Sequence, residues 1–276
     1  MKIDAHHHLW RYSPEEYPWI SPDATALRRD FLVPELRQVT SDAGIDYVIT
    51  VQARQSVIES KWLLELASGQ DIIAGVVGWV PLTSPDLGAI VSELATNPKL
   101  RGIRHVLQDE PDERFMLRSE FNRGIRALAP YDLTYDLLIY ERQLAPTIAF
   151  VDRHPHQRFV LDHAAKPLVR DGVRSPWAEN LRELARRPNV WCKLSGLVTE
   201  ADHQHWTDDQ LTPYLEAVFE AFGPERVMFG SDWPVCLLAA PYARWVEVVT
   251  DFVVRLSAEE QERFWWRNAF AAYGLS

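Results

Sequence analysis

The feature that most constrains this chain is a regular alternation of short apolar runs with amphipathic, helix-like stretches. Eight runs have the aliphatic and β-branched content of buried parallel strands, and they begin near residues 2, 46, 72, 100, 133, 159, 190 and 226. Helix-like stretches lie between them at residues 34–43, 56–68, 86–96, 120–129, 141–153, 177–187 and 209–222, and a final helix begins at the capping box Ser257-x-x-Glu260. Eight strands that alternate with helices predict either a closed (β/α)8 barrel or a doubly wound sheet.

Polar residues at the ends of the strands favour the barrel. They follow every run but the third, where Trp79 stands instead: His6 and His8, Gln52 and Arg54, Arg104 and His105, Asp136, His163, Lys193 and Ser195, and Asp232. In a barrel these ends form one active-site face, whereas a doubly wound sheet concentrates polar residues at one switch point. The sequence also has no Gly-x-Gly-x-x-Gly after a strand and no phosphate-binding loop. We therefore predict one (β/α)8 TIM barrel domain over residues 1–276, with its site at the C-terminal ends of the strands.

Composition narrows the class of partner. The formal net charge is −10, and the acidic residues are spread along the chain, which disfavours binding to nucleic acid or to an anionic membrane. No apolar run approaches the roughly 18 residues of a membrane span, and no secretory signal is visible. Only two cysteines, Cys192 and Cys236, argue for a reducing compartment. We expect a cytoplasmic protein that binds a small molecule, and a homo-oligomer stays an open alternative.

The first strand carries the clearest chemical signal, His6-His7-His8. Alternate side chains of a strand share a face, so the pattern places His6 and His8 on one side together with Asp4, and His7 on the other. Two converging imidazoles suit a metal site or proton transfer near neutral pH. A tag remnant or a surface cluster is the alternative, but the triplet lies in strand-like sequence and apolar Leu9-Trp10 follows it at once.

Asp232 and His163 end two other strands that face the same barrel mouth. After closure Asp232, at the end of the eighth strand, adjoins the first strand, where a carboxylate could act as a general base on water. The alternative is an Asp that caps a turn before Pro234. His163 could act as a metal ligand or as a hydrogen-bond donor to an oxyanion, although a lone histidine is more often structural.

Several polar residues are ambiguous from sequence alone. Neighbours on a strand face opposite sides, so only one of Arg104 and His105 can enter the barrel. Lys193 and Ser195 can share a face and could bind substrate hydroxyls or anchor a loop. The aromatic and proline-rich residues 11–33 predict an ordered loop over a pocket. Four histidines are expected at the surface: His154, His156, His203 and His205.

Five motifs resemble those of the amidohydrolase superfamily, in particular its amidohydrolase-2 type and the branch of sugar lactonases. They span residues 3–273 and are His6-x-His8, Val160-Leu161-Asp162-His163, Cys192-Lys193-Leu194-Ser195-Gly196, Phe229-Gly230-Ser231-Asp232-Trp233-Pro234 and Asn268-x-x-x-x-Tyr273. The run from Gly102 to Gln108 adds to the resemblance. It implies a (β/α)8 barrel, hydrolysis of a lactone, and Asp232 as the base that activates water.

The sequence also departs from the superfamily pattern. Binuclear members use a carboxylated lysine at the end of the fourth strand and a histidine at the end of the fifth, where this chain has Arg104-His105 and Tyr135-Asp136. A bridged two-metal site is therefore not expected. One divalent ion such as zinc on His6, His8 and Asp232 is geometrically conceivable. The resemblance to the lactonase branch also implies turnover without metal, so we expect that no cofactor is strictly required and that the ion is optional.

These residues lead to the hypothesis that the chain opens an aldonolactone, of the L-fucono or L-rhamnono kind, to its acid. Asp232 would activate water, and His163 with His6 or His8 would stabilise the oxyanion. Five residues are predicted to bind the sugar: Arg104, His105, Asp136, Lys193 and Trp233. Two rivals stay open, namely a zinc-dependent decarboxylase of an aromatic acid and a catalytically inactive barrel that binds a sugar acid.

Overall fold

The computed structural model describes residues 1–275, and eight parallel strands in sequential order form its central sheet. The strands are β1 (Ile3–His7), β2 (Tyr47–Val51), β3 (Ile73–Gly78), β4 (Leu100–Val106), β5 (Thr134–Leu138), β6 (Phe159–Leu161), β7 (Val190–Leu194) and β8 (Val227–Phe229). Each strand pairs in parallel with the next, and helices follow the strands on the outside. The prediction of a (β/α)8 barrel is therefore confirmed.

The main helices match the predicted stretches, with one omission. They are α1 (Val33–Asp42), α2 (Val57–Ser68), α3 (Leu87–Leu94), α4 (Ser119–Arg126), α5 (Leu144–Asp152), α6 (Trp177–Ala185), α7 (Asp208–Phe222), α8 (Tyr242–Val253), α9 (Ala258–Glu262) and α10 (Asn268–Tyr273). Helix α8 was not predicted from the sequence, since its four valines favour a strand by propensity. Burial of its apolar face against the barrel overrides that preference. The predicted capping box at the start of α9 is confirmed.

The barrel closes between β8 and β1 through the backbone just beyond β8. The Asp232 amide donates to the His6 carbonyl at 2.8 Å, and the His8 amide donates to the Trp233 carbonyl at 2.7 Å. Gly230 makes this approach possible, because a Cβ there would lie 2.9 Å from Cβ of His6. Closure thus brings the ends of the first and last strands together.

An irregularity in β1 decides which of its side chains enter the barrel. Asp4 pairs with Val48 of β2, whereas His7 pairs with Thr50, so β1 has one residue more than β2 between these two pairs. A single extra residue reverses the alternation of side chains between the two faces of a strand.

The irregularity separates Asp4 from the two histidines. Ala5 packs among the apolar residues of the barrel interior, and His6 and His8 point into the interior above it. Asp4 instead points outward and accepts a hydrogen bond of 3.1 Å from the Tyr242 hydroxyl of α8. The prediction that Asp4 shares a face with His6 and His8 was therefore wrong.

Residues 11–33 form an ordered connection over the mouth of the barrel. Trp10 and Phe31, at its two ends, exchange backbone hydrogen bonds of 3.0 and 2.9 Å. Between them the chain makes a short 3-10 turn at Thr25–Leu27, and Glu16 and Trp19 reach the cavity at the mouth. The prediction of an ordered loop over a pocket is confirmed.

Among residues 1–275, none of the helices combines the length and the apolar character needed to cross a membrane.

Candidate active site

Three imidazoles surround one carboxylate at the C-terminal mouth of the barrel. The Nε2 atoms of His6 and His8 lie 3.2 Å apart. Oδ1 of Asp232 lies 3.7 Å from Nε2 of His6, 3.4 Å from that of His8 and 3.9 Å from that of His163. All four side chains are buried. The structure thus brings together the four residues for which the sequence predicted a catalytic role.

The opposite nitrogen of each imidazole is held by a neighbour, which orients the ring. Nδ1 of His8 lies 2.8 Å from the carbonyl oxygen of Val51, so it carries the proton and leaves a lone pair on Nε2. Nδ1 of His163 lies 2.9 Å from Oγ of Ser195, a residue the sequence had left ambiguous. These contacts turn Nε2 of both rings toward Asp232.

Asp4 stabilises the turn that carries Asp232. Its two carboxylate oxygens accept hydrogen bonds from the Ser231 amide at 2.8 Å and the Ser231 hydroxyl at 2.5 Å. Asp232 follows with φ of +57°, a left-handed conformation that is uncommon for a residue with a side chain. Such conformations persist where the surroundings enforce them, and they cluster at functional sites.

The electrostatics of the site favour an ionised carboxylate among neutral rings. Burial raises the pKa of Asp232, but His163 and His8 outweigh it and hold that pKa below its usual value. Burial lowers the pKa of His163 to about 4, and it holds the pKa of His6 well below its usual value. At pH 7 a negative charge therefore faces the uncharged imidazoles of His163 and His6, which suits proton acceptance from water.

The donor set fits a single divalent ion. Ligand atoms of a tetrahedral zinc with bonds of about 2.0–2.1 Å lie about 3.3 Å apart, and the atoms of His6, His8 and Asp232 are 3.2 to 3.7 Å apart. Two Nε2 atoms in contact also need a cation or a proton between them, because the lone pair of His8 faces His6. Nη1 of Arg104, 3.3 Å from Nε2 of His6, crowds this position with a second positive charge.

A charged layer of four side chains lies directly beneath His6. Nζ of Lys193 lies 2.6 Å from Asp136, 2.9 Å from Asp162 and 3.1 Å from Nδ1 of His6. Arg104 donates to the other oxygen of Asp162 at 3.0 Å. The two cations balance the two carboxylates, so the layer is neutral overall.

The layer corrects two predictions. Asp136 and Lys193 were expected to bind substrate, but both side chains are fully buried and engage one another instead. The Tyr273 hydroxyl of α10 also donates to Asp136, at 2.8 Å, which closes the layer from below. Both residues therefore support His6 from beneath and do not reach the cavity. Asp162, which the sequence indicated only as part of a motif, is the carboxylate that links them to Arg104.

Two further predicted substrate contacts also lie away from the cavity. Arg104 takes the inward position on β4, so His105 faces outward, where its ring stacks on Phe115 and contacts Glu110 at 2.7 Å. Trp233 is fully buried against Phe31. Of the five residues predicted to bind the sugar, only Arg104 lines the cavity.

One of the histidines expected at the surface is buried. His154 is only 5% exposed, and its Nε2 lies 2.8 Å from Oδ1 of Asn122. Its ring packs on Phe150 and Phe159. His154 is therefore a core residue on the outer side of the barrel.

A cavity of about 520 Å³ opens above Asp232, within the range of roughly 300–1,000 Å³ that is typical of small-molecule sites. Arg104, His8, His163 and Asp232 form part of its floor. Its walls include residues that the sequence pattern did not single out as site residues: Glu15, Glu16, Trp19, Gln55, Val106, Gln108, Asp109, Leu138, Lys166 and Val235. Val106 and Leu138 are the last residues of β4 and β5, and the others lie in the connections that follow strands, so only their position at or after a strand end could have indicated them.

The chain resembles two curated proteins named L-fucono-1,5-lactonase. That of Burkholderia multivorans is 44% identical, and the alignment covers 100% of this chain and 96% of the relative. That of Burkholderia ambifaria is 39% identical over 89% of this chain and 85% of the relative. A crystal structure of an amidohydrolase from Burkholderia multivorans with bound zinc superposes with a TM-score of 0.97 at 44% identity, over the full length of both chains.

A family model described as Amidohydrolase matches residues 3–275. This match covers the barrel from β1 to the end of α10, and with it the His6-x-His8 pair, His163 and the turn that carries Asp232. The chain belongs to the amidohydrolase family.

Proposed function

We propose that this chain is a lactonase that opens a sugar lactone, with L-fucono-1,5-lactone as the first substrate to test, to the open-chain aldonic acid. One observation carries the chemistry: a buried carboxylate, Asp232, lies within 4 Å of three imidazoles at the floor of the cavity. The substrate class is supported by the two L-fucono-1,5-lactonases that resemble the chain over most of its length.

Asp232 is assigned as the general base. Its Oδ1 faces the three imidazoles, so we assign Oδ2 to accept the proton from a water in the cavity. That water attacks the lactone carbonyl carbon, and the electron pair of the C=O bond moves to the oxygen. His163 and His6 lie beside the place where this charge develops and can direct hydrogen bonds or dipoles toward it, whereas Nε2 of His8 presents a lone pair and can only accept.

The same carboxyl group completes the reaction. Collapse of the tetrahedral intermediate breaks the bond between the carbonyl carbon and the ring oxygen. Protonated Asp232 then returns its proton to that oxygen, which becomes a hydroxyl of the acid. When bound, a divalent ion on His6, His8 and Asp232 would supply Lewis acidity to the water and the carbonyl.

The walls of the cavity suit a deoxy-sugar ring. Val106, Leu138 and Val235 offer an apolar surface for a methyl group, and Gln55 and Gln108 offer amide groups for ring hydroxyls. A cavity lined by both apolar and polar side chains fits a ligand with one methyl and several hydroxyls.

The assignment is tested with Asp232→Asn on a panel of aldonolactones, followed with a pH indicator because hydrolysis releases acid. We expect kcat to fall at least about 1,000-fold, because the amide cannot accept the proton. Asp251→Asn, at an exposed position on α8, is the matched control and should turn over like the unmodified protein. A variant at Asp232 that keeps a tenth of the activity would refute the role of this residue.

The optional ion is tested on the same protein by elemental analysis before and after chelation. We expect the chelated protein to keep a measurable share of its lactonase activity and to release no carbon dioxide from aromatic acids. Complete loss of lactone turnover, restored by zinc, would make the ion obligatory. Carbon dioxide release would instead favour the decarboxylase.

A further inference from the structure

The backbone after β6 adopts a conformation that chains of L-residues rarely form. Four consecutive residues without a glycine, His163, Ala164, Ala165 and Lys166, have φ of +52°, +48°, +60° and +50°. The Lys166 amide donates to the His163 carbonyl at 2.8 Å, so the segment makes one turn of left-handed helix. Each such residue costs about 1–2 kcal/mol relative to the right-handed form. Strain of this kind clusters at sites where it serves a function.

The turn presents two side chains to the cavity. Residues three apart in a helical turn project from nearly the same side, which is consistent with both His163 and Lys166 reaching one cavity. Both line the cavity above Asp232. The strained backbone therefore places the ammonium group of Lys166 in the cavity above Asp232.

Lys166 differs from the other two cations that line the cavity. Arg54 pairs with Glu16 at 2.7 Å, and Arg104 pairs with Asp162 at 3.0 Å. Within the described residues 1–275, no carboxylate oxygen lies within 4.0 Å of Nζ of Lys166, which instead faces the Tyr140 ring at 5.4 Å. Glu200 lies near enough for Lys166 to lower its pKa, which burial raises, but the two groups form no direct ion pair, so the ammonium group can pair with an anion that enters the cavity.

The field of Lys166 reaches the reacting groups. Burial raises the pKa of Asp232, and Lys166 is among the neighbours that lower it. Burial also lowers the pKa of His163, to about 4, and Lys166 adds to that effect. Because His163 and His6 are neutral at pH 7, they contribute dipoles, whereas Lys166 contributes a full positive charge.

We propose that Lys166 is a catalytic residue, which donates a hydrogen bond to the lactone carbonyl oxygen as it becomes an oxyanion and then to the carboxylate of the product. The inference rests on the proposed lactonase function. Water supplies the new C–O bond, the C=O electron pair moves to the oxygen beside Lys166, and the pair returns when the ring C–O bond breaks. Lys166 keeps its proton throughout. A charged donor at an oxyanion is typically worth about 100-fold or more in kcat.

The test compares Lys166→Met and Lys166→Arg with Lys61→Met, which removes a half-exposed lysine from α2 and should behave like the unmodified protein. For Lys166→Met we expect kcat to fall about 100-fold while KM stays within about threefold. Lys166→Arg should recover about a tenth of the lost activity or more. Thermal unfolding of each variant shows that the turn still forms.

Binding of two probes separates a catalytic role from a structural one. L-fuconate carries the carboxylate of the expected product, and L-fucitol is the matching neutral alcohol. Lys166→Met should weaken L-fuconate at least about tenfold and leave L-fucitol unchanged, since only the acid has the charge that Lys166 would bind. Equal weakening of both probes, or a kcat within threefold of the unmodified protein, would overturn the inference. If the unmodified protein opens no lactone, the proposed function fails, and the L-fuconate measurement still decides whether Lys166 binds a carboxylate.

Discussion

The interior of the barrel consists of two layers with opposite chemistry. The lower layer is apolar, with side chains from β1, β2, β3, β6 and β8: Ala5, Ile49, Val51, Val77, Val160 and Met228. The upper layer contains Arg104, Asp136, Asp162 and Lys193, and His6 lies on top of it. The two layers meet within the same sheet, since Lys193 is the register partner of Met228.

The difference between the two layers shows that the apolar layer stabilises the fold, whereas the charged layer contributes little to its stability. Packed apolar side chains stabilise the fold, whereas buried ion pairs often contribute no more than a hydrophobic replacement. Burial raises the pKa of Asp136 to about 6, although Lys193 opposes it. Burial also acts on Asp162, but Lys193 and His6 hold its pKa well below the usual value. Burying the charged layer therefore costs free energy, and the layer serves to hold His6 in position.

We expect the largest loss of stability from a substitution that removes one charge from the upper layer. Lys193→Met leaves Asp136 and Asp162 with one cation between them, which should lower the free energy of unfolding by about 3–5 kcal/mol. Denaturant titration measures the change. The double variant Lys193→Met/Asp136→Leu restores neutrality and should be more stable than the single variant. If the single variant stays within 1 kcal/mol of the unmodified protein, the layer does not depend on that balance.

The second prediction concerns the lower layer, where a substitution should lower stability without changing activity. Met228→Ala removes a fully buried side chain beside Lys193 and should cost about 2–5 kcal/mol in the free energy of unfolding. Because Met228 belongs to the apolar layer and does not line the cavity, kcat/KM at a temperature where the protein is folded should stay within about threefold. A tenfold loss of kcat in the folded variant would show that the two layers are coupled.

We expect the smallest loss of stability from a substitution at the mouth of the barrel, Gly196→Ala, which should nevertheless lower the activity clearly. A Cβ at Gly196 would lie 2.6 Å from Nδ1 of His163, so Gly196→Ala should displace that ring and lower kcat about tenfold or more. Its φ of +66° adds a penalty of about 1–2 kcal/mol for any side chain.

Gly44→Ala is the matched control, because Gly44 has φ of +69° but a Cβ there would meet no atom within 4 Å. It should carry the same backbone penalty without the clash, and it should leave kcat unchanged. Equal kcat in the two variants would contradict the view that Gly196 is required by its contact with His163.

The sequence by itself determined the architecture and the residues that meet at the mouth. Strand-like runs with polar residues at their ends predicted the barrel, and barrel closure predicted that Asp232 would meet His6 and His8. These inferences succeed because the period of a strand and the sequential order of a barrel are local properties. Helix α8 was missed because its valines favour a strand when tertiary burial is unknown.

Only the tertiary structure decided which side chains reach the cavity. One extra residue in β1 turned Asp4 outward, and the inward position of Arg104 on β4 sent His105 to the opposite face. Lys193 does not reach the cavity because its ammonium group pairs with Asp136, which lies 57 residues away in the chain. Contacts between distant segments decide which side of a strand faces the barrel interior and which group pairs with a buried charge. A local sequence pattern therefore cannot predict either.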